Sequence, residues 1–347
     1  MFSRRLSRIA IAITLAAAAG AASADLTTAT LLTGTVGMSV DGIGSNNSPT
    51  GDVQALIPVG ATILQAYLYS AGTPFPFYAN SPHTLADYNG AGITLAGVPI
   101  TNFSKLVGAT STRADIGRWF TGRADVTALV KTLTAGALTP NFSWTVDEGA
   151  VSNRFDGEVL AIAYSLPGLP QASVAFLDGG QNTAGETTHV NFVGPLPDVS
   201  APSFVAQLGL GISFSCCGNQ TSTVDVNGTN LTNFAGNQND GIPPPGNPDG
   251  SLITVGGLGD NPANNVASYA DDDELYDLKP FLNTGDTLLT IFTKNPSNDD
   301  NIFFASMYIT AEVGSITPGV PEPETYALLL TGLAAVGWVA HRRRGPR

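Results

Sequence analysis

The residues of this 347-residue chain that could do chemistry are mostly oxygen acids. Its three histidines are His83, His189 and His341. The first two stand in Asn/Pro/Gly-rich and Thr-rich contexts, and the third precedes a run of arginines. A Ser-His-Asp triad needs a histidine held between a nucleophile and an orienting acid. Neither a G-x-S-x-G elbow nor an H-E-x-x-H pair occurs, so each histidine reads as an ordinary loop or surface residue. Glu148 and Glu158 are candidates for paired-carboxylate glycoside cleavage only because they are glutamates in a β-rich chain. The expectation is a protein that is not an enzyme.

The acidic loops carry more oxygen. Asp271-Asp272-Asp273-Glu274 with Asp277, Asp299-Asp300, Asn237-Gln238-Asn239-Asp240 and Asp260-Asn261 offer the hard ligands of which calcium takes about six to eight. None fits the D-x-D-x-D-G loop with its terminal Glu. Asp271, Asp272, Asp299 and Asp300 come nearest to a calcium ligand set, and helix capping with solvated loops is the competing account. No other cofactor is implied. The two cysteines, Cys216 and Cys217, are adjacent and form no CxxC motif. They make either a vicinal disulfide, which closes a tight strained ring, or two free or intermolecularly paired thiols. Phe75, Phe77 and Tyr78 in a Pro-rich loop, and Trp119-Phe120, could face a carbohydrate, although aromatic runs in β proteins are more often core.

The segments that must position these residues read as short strands broken by Gly, Asn, Asp and Pro clusters. The 39 glycines, 23 prolines and only 12% charged residues agree. Ile63–Tyr69 is β-rich, and Val159–Tyr164 is apolar on both faces, as in a central strand. Leu288–Phe292 and Ile302–Thr310 are two more, with Asn295–Asp300 between them as a hairpin loop. Asn227-Gly228 between Val226 and Leu231 signals a type I′ turn. Asp125 can N-cap a helix with apolar Val126, Leu129, Val130 and Leu133, ending near Gly136. Asp273 stands similarly before Leu275, Leu278 and Leu282, with Pro280 making that second helix short or kinked.

These blocks recur. Val126, Leu129, Leu133 and Gly136 map onto Leu275, Leu278, Leu282 and Gly285 at one offset. Leu95–Phe103 resembles Val226–Phe234, and Asp156 and Tyr164 map onto Asp300 and Tyr308. Three blocks in one order imply an internal duplication. The fold expected is mainly β: two tandem β-sandwich-like modules, 25–168 and 169–314.

Both ends read as targeting segments. Arg4, Arg5 and Arg8, then apolar Ile9–Ala18, then Ala22-Ser23-Ala24, make a secretory signal over residues 1–24. Tyr326–Ala340 is a second apolar segment, expected as a transmembrane helix of ~22 Å at ~1.5 Å per residue. Arg342, Arg343 and Arg344 follow as a cluster that stops in the cytoplasm. Setting the ends aside leaves eight basic residues against 26 acidic ones, a formal charge near −18. Such a body repels nucleic acid, which binds basic patches, and favours solubility and divalent cations.

Val320-Pro321-Glu322-Pro323-Glu324-Thr325-Tyr326, a short apolar helix and then three arginines, placed at the C-terminus after a signal peptide, resemble the PEP-CTERM sorting domain. The resemblance covers only residues from about 318 to 347, within a sorting tail expected over 315–347. It implies passage through the secretion translocon, cleavage by signal peptidase, a transient stay in the inner membrane, and recognition of Pro321, Glu322 and Pro323 by an exosortase. It also implies a final place at the cell surface or in an extracellular polysaccharide matrix. The prolines suit an extended, accessible segment beside the membrane. The expected role is structural, adhesive or exopolysaccharide-associated. A secreted polysaccharide-active hydrolase and a calcium-dependent carbohydrate-binding protein are the alternatives.

Overall fold

The computed structural model describes residues 26–44, 48–72, 84–106, 119–149, 155–182, 185–215, 222–236, 252–262, 274–298, 300–319 and 332–333. The signal segment 1–24, Pro321, Glu322, Pro323, Arg342, Arg343 and Arg344 lie outside the described residues, as does all of 326–340 except Gly332 and Leu333. No helix among the described residues is long and apolar enough to cross a membrane.

The first half contains β1 (Thr27–Gly34), β2 (Val36–Gly44), β3 (Thr50–Leu56), β4 (Thr62–Gly72), α1 (Leu85–Gly90), β5 (Thr94–Leu95), β6 (Val98–Pro99), β7 (Phe103–Leu106), β8 (Phe120–Asp125), α2 (Thr127–Thr134), β9 (Asn141–Asp147) and β10 (Gly157–Ser165). The second contains β11 (Ala172–Asp178), β12 (Glu186–Phe192), β13 (Ala206–Ser213), β14 (Ser222–Val226), β15 (Thr229–Ala235), β16 (Ile253–Val255), β17 (Leu275–Asp277), a 3-10 turn (Lys279–Phe281), β18 (Leu288–Lys294), β19 (Asn301–Ile309) and β20 (Val313–Pro318).

These strands build two sandwich-like pairs of antiparallel sheets. One pair has strand orders β2-β10-β4-β8-β7 and β3-β9-β5-β6. The other has β1-β11-β19-β13-β16, with β17 also on β13, and β15-β14-β18-β12-β20. The two orders correspond strand for strand: β2-β10-β4-β8 to β11-β19-β13-β17, and β3-β9-β5-β6 to β12-β18-β14-β15. Local detail repeats as well. Asp125 Oδ1 accepts the Thr127 amide at 2.9 Å, and Asp277 Oδ1 accepts the Lys279 amide at 2.9 Å. The next residues, Val126 and Leu278, donate their N–H groups to Ala66 and Ala206. Val126 therefore corresponds to Leu278, not to Leu275 as the leucine spacing suggests.

The turn chemistry explains several elements. Asn227 and Gly228 have φ of 49° and 76°, and Ala96 and Gly97 have 53° and 75°. Both pairs of left-handed residues are those of a type I′ turn, closing β14–β15 and β5–β6. The helix expected from Asp125 forms as α2, with Val126 at the N-cap position. The one expected after Asp273 does not. Leu275–Asp277 is a strand on β13, and only a 3-10 turn follows, with Pro280 within it. Proline removes a backbone donor and clashes one turn back, so the turn does not propagate. Asn295–Asp300 is not a hairpin loop either. β18 and β19 lie in different sheets, and the Asn295 side chain closes the crossover by accepting from Asn298 N and donating to the Asp300 carbonyl.

The pairs stack on one another. β10 is buried on both faces because alternate residues enter different cores. Leu160 and Ile162 face the first sandwich's interior, while Val159, Ala161 and Ala163 join Val174, Phe176, Phe303 and Phe304. Period-two alternation thus serves two apolar layers at once. Tyr69 packs on Phe304 with ring centroids 4.9 Å apart. β1 ties the halves further. It lies in the first stretch of sequence but pairs with β11, Thr27 opposite Asp178 and Gly34 opposite Ala172.

Candidate functional site

Three polar groupings interrupt these cores. The first joins the two glutamates singled out in the sequence. Glu158 faces Ser70 across the β10–β4 ladder, and Ser70 Oγ donates to Glu158 Oε1 at 3.0 Å. Glu148, just past the end of β9, lies beside Glu158, and both residues are fully buried. Burial pushes the Glu158 carboxyl up to about 8, against partial relief from the Ser70 hydrogen bond and from Glu148. Two enclosed carboxyls in contact share a proton, since both cannot ionise there. Retaining glycoside cleavage needs carboxyls ~5–5.5 Å apart with room for a sugar between them. Adjacent carboxyls that are both 0% exposed leave no such room. Tyr88, from α1, covers the neighbouring space and donates to the Ser70 carbonyl at 3.3 Å.

The second grouping lies where the sandwiches meet. Asp178 Oδ2 accepts from Tyr69 Oη at 3.1 Å and from Arg123 Nη1 at 2.5 Å. The guanidinium carbon of Arg123 sits 4.9 Å from the centroid of the Tyr67 ring, a cation–π contact. Burial raises the Asp178 carboxyl above its ordinary value even with Arg123 opposing it. The third grouping is in the second sandwich. Ser222 Oγ donates to Asp300 Oδ1 at 3.2 Å, and Glu274 accepts from Gly236 N and Tyr276 Oη, each at 2.8 Å.

Of the proposed calcium ligands, Asp271, Asp272 and Asp299 lie outside the described residues. Asp300 is described, and its carboxylate faces inward to Ser222 and against Gly236. Among the described residues no group of three or more His, Cys, Asp or Glu is placed to hold a metal ion. Cys216, Cys217, Phe75, Phe77, Tyr78 and His83 also lie outside the described residues. His189 sits half-buried in β12, bonded along the ladder to β18 and β20. Trp119 and Phe120 are core residues, 0% and 2% exposed, so they form no carbohydrate-facing platform.

One cleft was not foreseen. It has a volume of about 270 Å³ and opens between the inner sheets, with Tyr164, Tyr308, Gln207, Met38 and Leu169 in its lining. Its wall is the strut Ile253–Leu258, which bonds to both halves: Gly256 N donates to Leu210 O at 2.8 Å and Leu258 N to Val40 O at 2.9 Å. A Cβ on Gly256 would come within 2.1 Å of Glu274 O, and one on Gly257 within 2.1 Å of Val40 O. The only sequence signal was the Gly256-Gly257 pair, and it names no partner.

No protein-family model matches the chain, and no curated protein matches it.

Proposed function

We propose that the chain is an exported cell-envelope or extracellular-matrix protein, sorted by an exosortase. Its β body, the product of an internal duplication, is structural, adhesive or associated with exopolysaccharide. It is not an enzyme. Supporting the duplication are the strand-for-strand equivalence of the two sandwiches and the shared Asp125/Asp277 turn.

One observation carries the sorting reading: the described residues nearest the two targeting segments lie side by side on one edge of the β body. Leu26, 5% exposed, is a core residue two positions past the signal cleavage site at Ala24, and its N–H donates to Glu186 Oε1 at 3.3 Å. At the other end Gly319 N donates to the Thr187 carbonyl at 2.5 Å, one residue before Val320-Pro321-Glu322-Pro323. The two ends adjoin, with Thr28 Oγ1 donating to the Ile316 carbonyl at 3.3 Å. A precursor held at a membrane by its signal and by its tail would then be tethered at one edge of its body.

Cell fractionation with intact-mass measurement tests this. The mature protein should be found at the surface or in the matrix, beginning at Asp25 and lacking Tyr326–Arg347. Recovery of the intact tail on mature protein, in a host with an exosortase, would refute sorting.

A further inference from the structure

We propose that the cleft between the two sandwiches is a binding site for one uncharged pyranose ring, such as a neutral residue of a polysaccharide. Its lining is mixed in the way such a ring requires. A pyranoside presents apolar C–H faces and a rim of hydroxyls, and sites for small ligands pair apolar or aromatic surface with a few placed polar groups. Here Tyr164 and Tyr308 supply rings, Met38 and Leu169 aliphatic surface, and Gln207 an amide. No charged side chain is among the lining residues. The site therefore offers nothing to pair a uronate or phosphate, and the acidic body would repel either.

Among the described residues, neither tyrosine hydroxyl nor the Gln207 amide is hydrogen-bonded to another side chain or to backbone. Burial raises both tyrosine hydroxyls above their ordinary value, with Tyr308 adding to the rise at Tyr164, so both stay neutral donors. The walls are preformed. The Tyr164 ring lies against Gly37, where a Cβ would come within 2.8 Å of it. Gly256 and Gly257 hold the opposite wall against β17 and β2. At about 270 Å³ the cleft is just under the ~300 Å³ at which drug-sized pockets begin, so it accepts one ring and not a chain.

The biological source of such a ring rests on the matrix reading above, but the site does not. Binding is measured on purified protein and location by fractionation, so either can fail alone. The probes are methyl glucoside, methyl galactoside, methyl N-acetylglucosaminide and, as the charged counterpart, methyl glucuronide. Each is added to the full-length chain in a detergent without a sugar headgroup and followed by saturation-transfer NMR. Transfer is expected to at least one neutral glycoside, with about tenfold weaker binding of the glucuronide. Tyr308→Phe and Gln207→Leu should each weaken binding about fivefold by deleting one hydrogen bond, with an unchanged circular dichroism spectrum. Tyr308→Ala should abolish it. The proposal is overturned if no neutral glycoside shows transfer, if the glucuronide binds as well, or if transfer persists unchanged in Tyr308→Phe and Gln207→Leu.

Discussion

Arg123, on β8 of one sandwich, holds the carboxylate of Asp178, on β11 of the other, at 2.5 Å. The Asp178 side chain is 3% exposed and that of Arg123 26%, so the acid depends on a partner that water still reaches. Removing one member of a buried pair leaves an uncompensated charge and costs ~3–5 kcal/mol. Tyr69 would still donate to Asp178, and the partial exposure of Arg123 screens the pair. Arg123→Met should therefore destabilise by about 2–3 kcal/mol in a denaturant titration, and Asp178→Asn should relieve most of that loss in the double variant. Additive losses would mean the two residues act independently.

The buried glutamates predict an unusual pH response. A carboxyl raised from its ordinary 4.5 to about 8 in the fold keeps its proton where the unfolded chain has lost it. The native state then binds more protons, and stability falls as pH rises between those values. Asp41, pushed up to about 6 by burial, adds to the same slope over the lower part of the window. Melting temperature should be higher near pH 5 than near pH 8. Glu158→Gln, which mimics the protonated acid, should flatten the slope and be the more stable protein at pH 8. A profile identical in wild type and variant would exclude Glu158 as its source.

Two equivalent turns should respond in opposite directions. Ala96 has φ of 53°, where a Cβ costs ~1–2 kcal/mol. Ala96→Gly should stabilise by about 0.5–1 kcal/mol, since the extra freedom of glycine in the unfolded chain takes back part of the gain. Asn227 tolerates the same conformation and also bonds outward, accepting from Thr290 N at 2.9 Å and donating to the Phe281 carbonyl at 2.9 Å. Asn227→Ala should cost about 2 kcal/mol. Thermal denaturation of the two variants checks both signs.

Gly257→Ala tests the strut between the halves. Its Cβ would meet the Val40 carbonyl at 2.1 Å, and backbone cannot step aside as a flexible side chain can. Overpacking of this kind costs ~1–3 kcal/mol or more. The transition should move to lower denaturant and broaden, as contact between the sandwiches weakens before either one melts. A sharp, unshifted transition would show that the strut does not couple them.

What the sequence made legible follows from the range of each interaction. Asn227-Gly228, the α2 periodicity and the doubly apolar Val159–Tyr164 are local patterns, and each appears where its residues place it. The glutamates Glu148 and Glu158 were named without geometry, and only the sheet crossover between β9 and β10 brings them together. The leucines 275, 278 and 282 misled because a helical spacing also fits a strand followed by one 3-10 turn, and Pro280 settles which forms. Arg123, Asp178, Tyr164 and Tyr308 carry no local signal, for their partners lie in the other half of the chain. Thr27–Gly34 has no clean alternation of polar and apolar residues, and nothing local says which sheet it joins.

That strand changes what it means for this chain to hold two corresponding sandwiches. β1 is the first strand of the described chain, and its ladder partner β11 lies some 150 residues downstream, Thr27 opposite Asp178. A chain delivered N-terminus first must hold β1 in waiting, its edge unpaired, while the whole first sandwich is threaded past it. Ladder contacts so distant in sequence close late and slowly. Neither half is then a finished object when the other is missing, and a cut between β10 and β11 would orphan a strand. The two sandwiches correspond strand for strand, but the folded body can only be released as a whole.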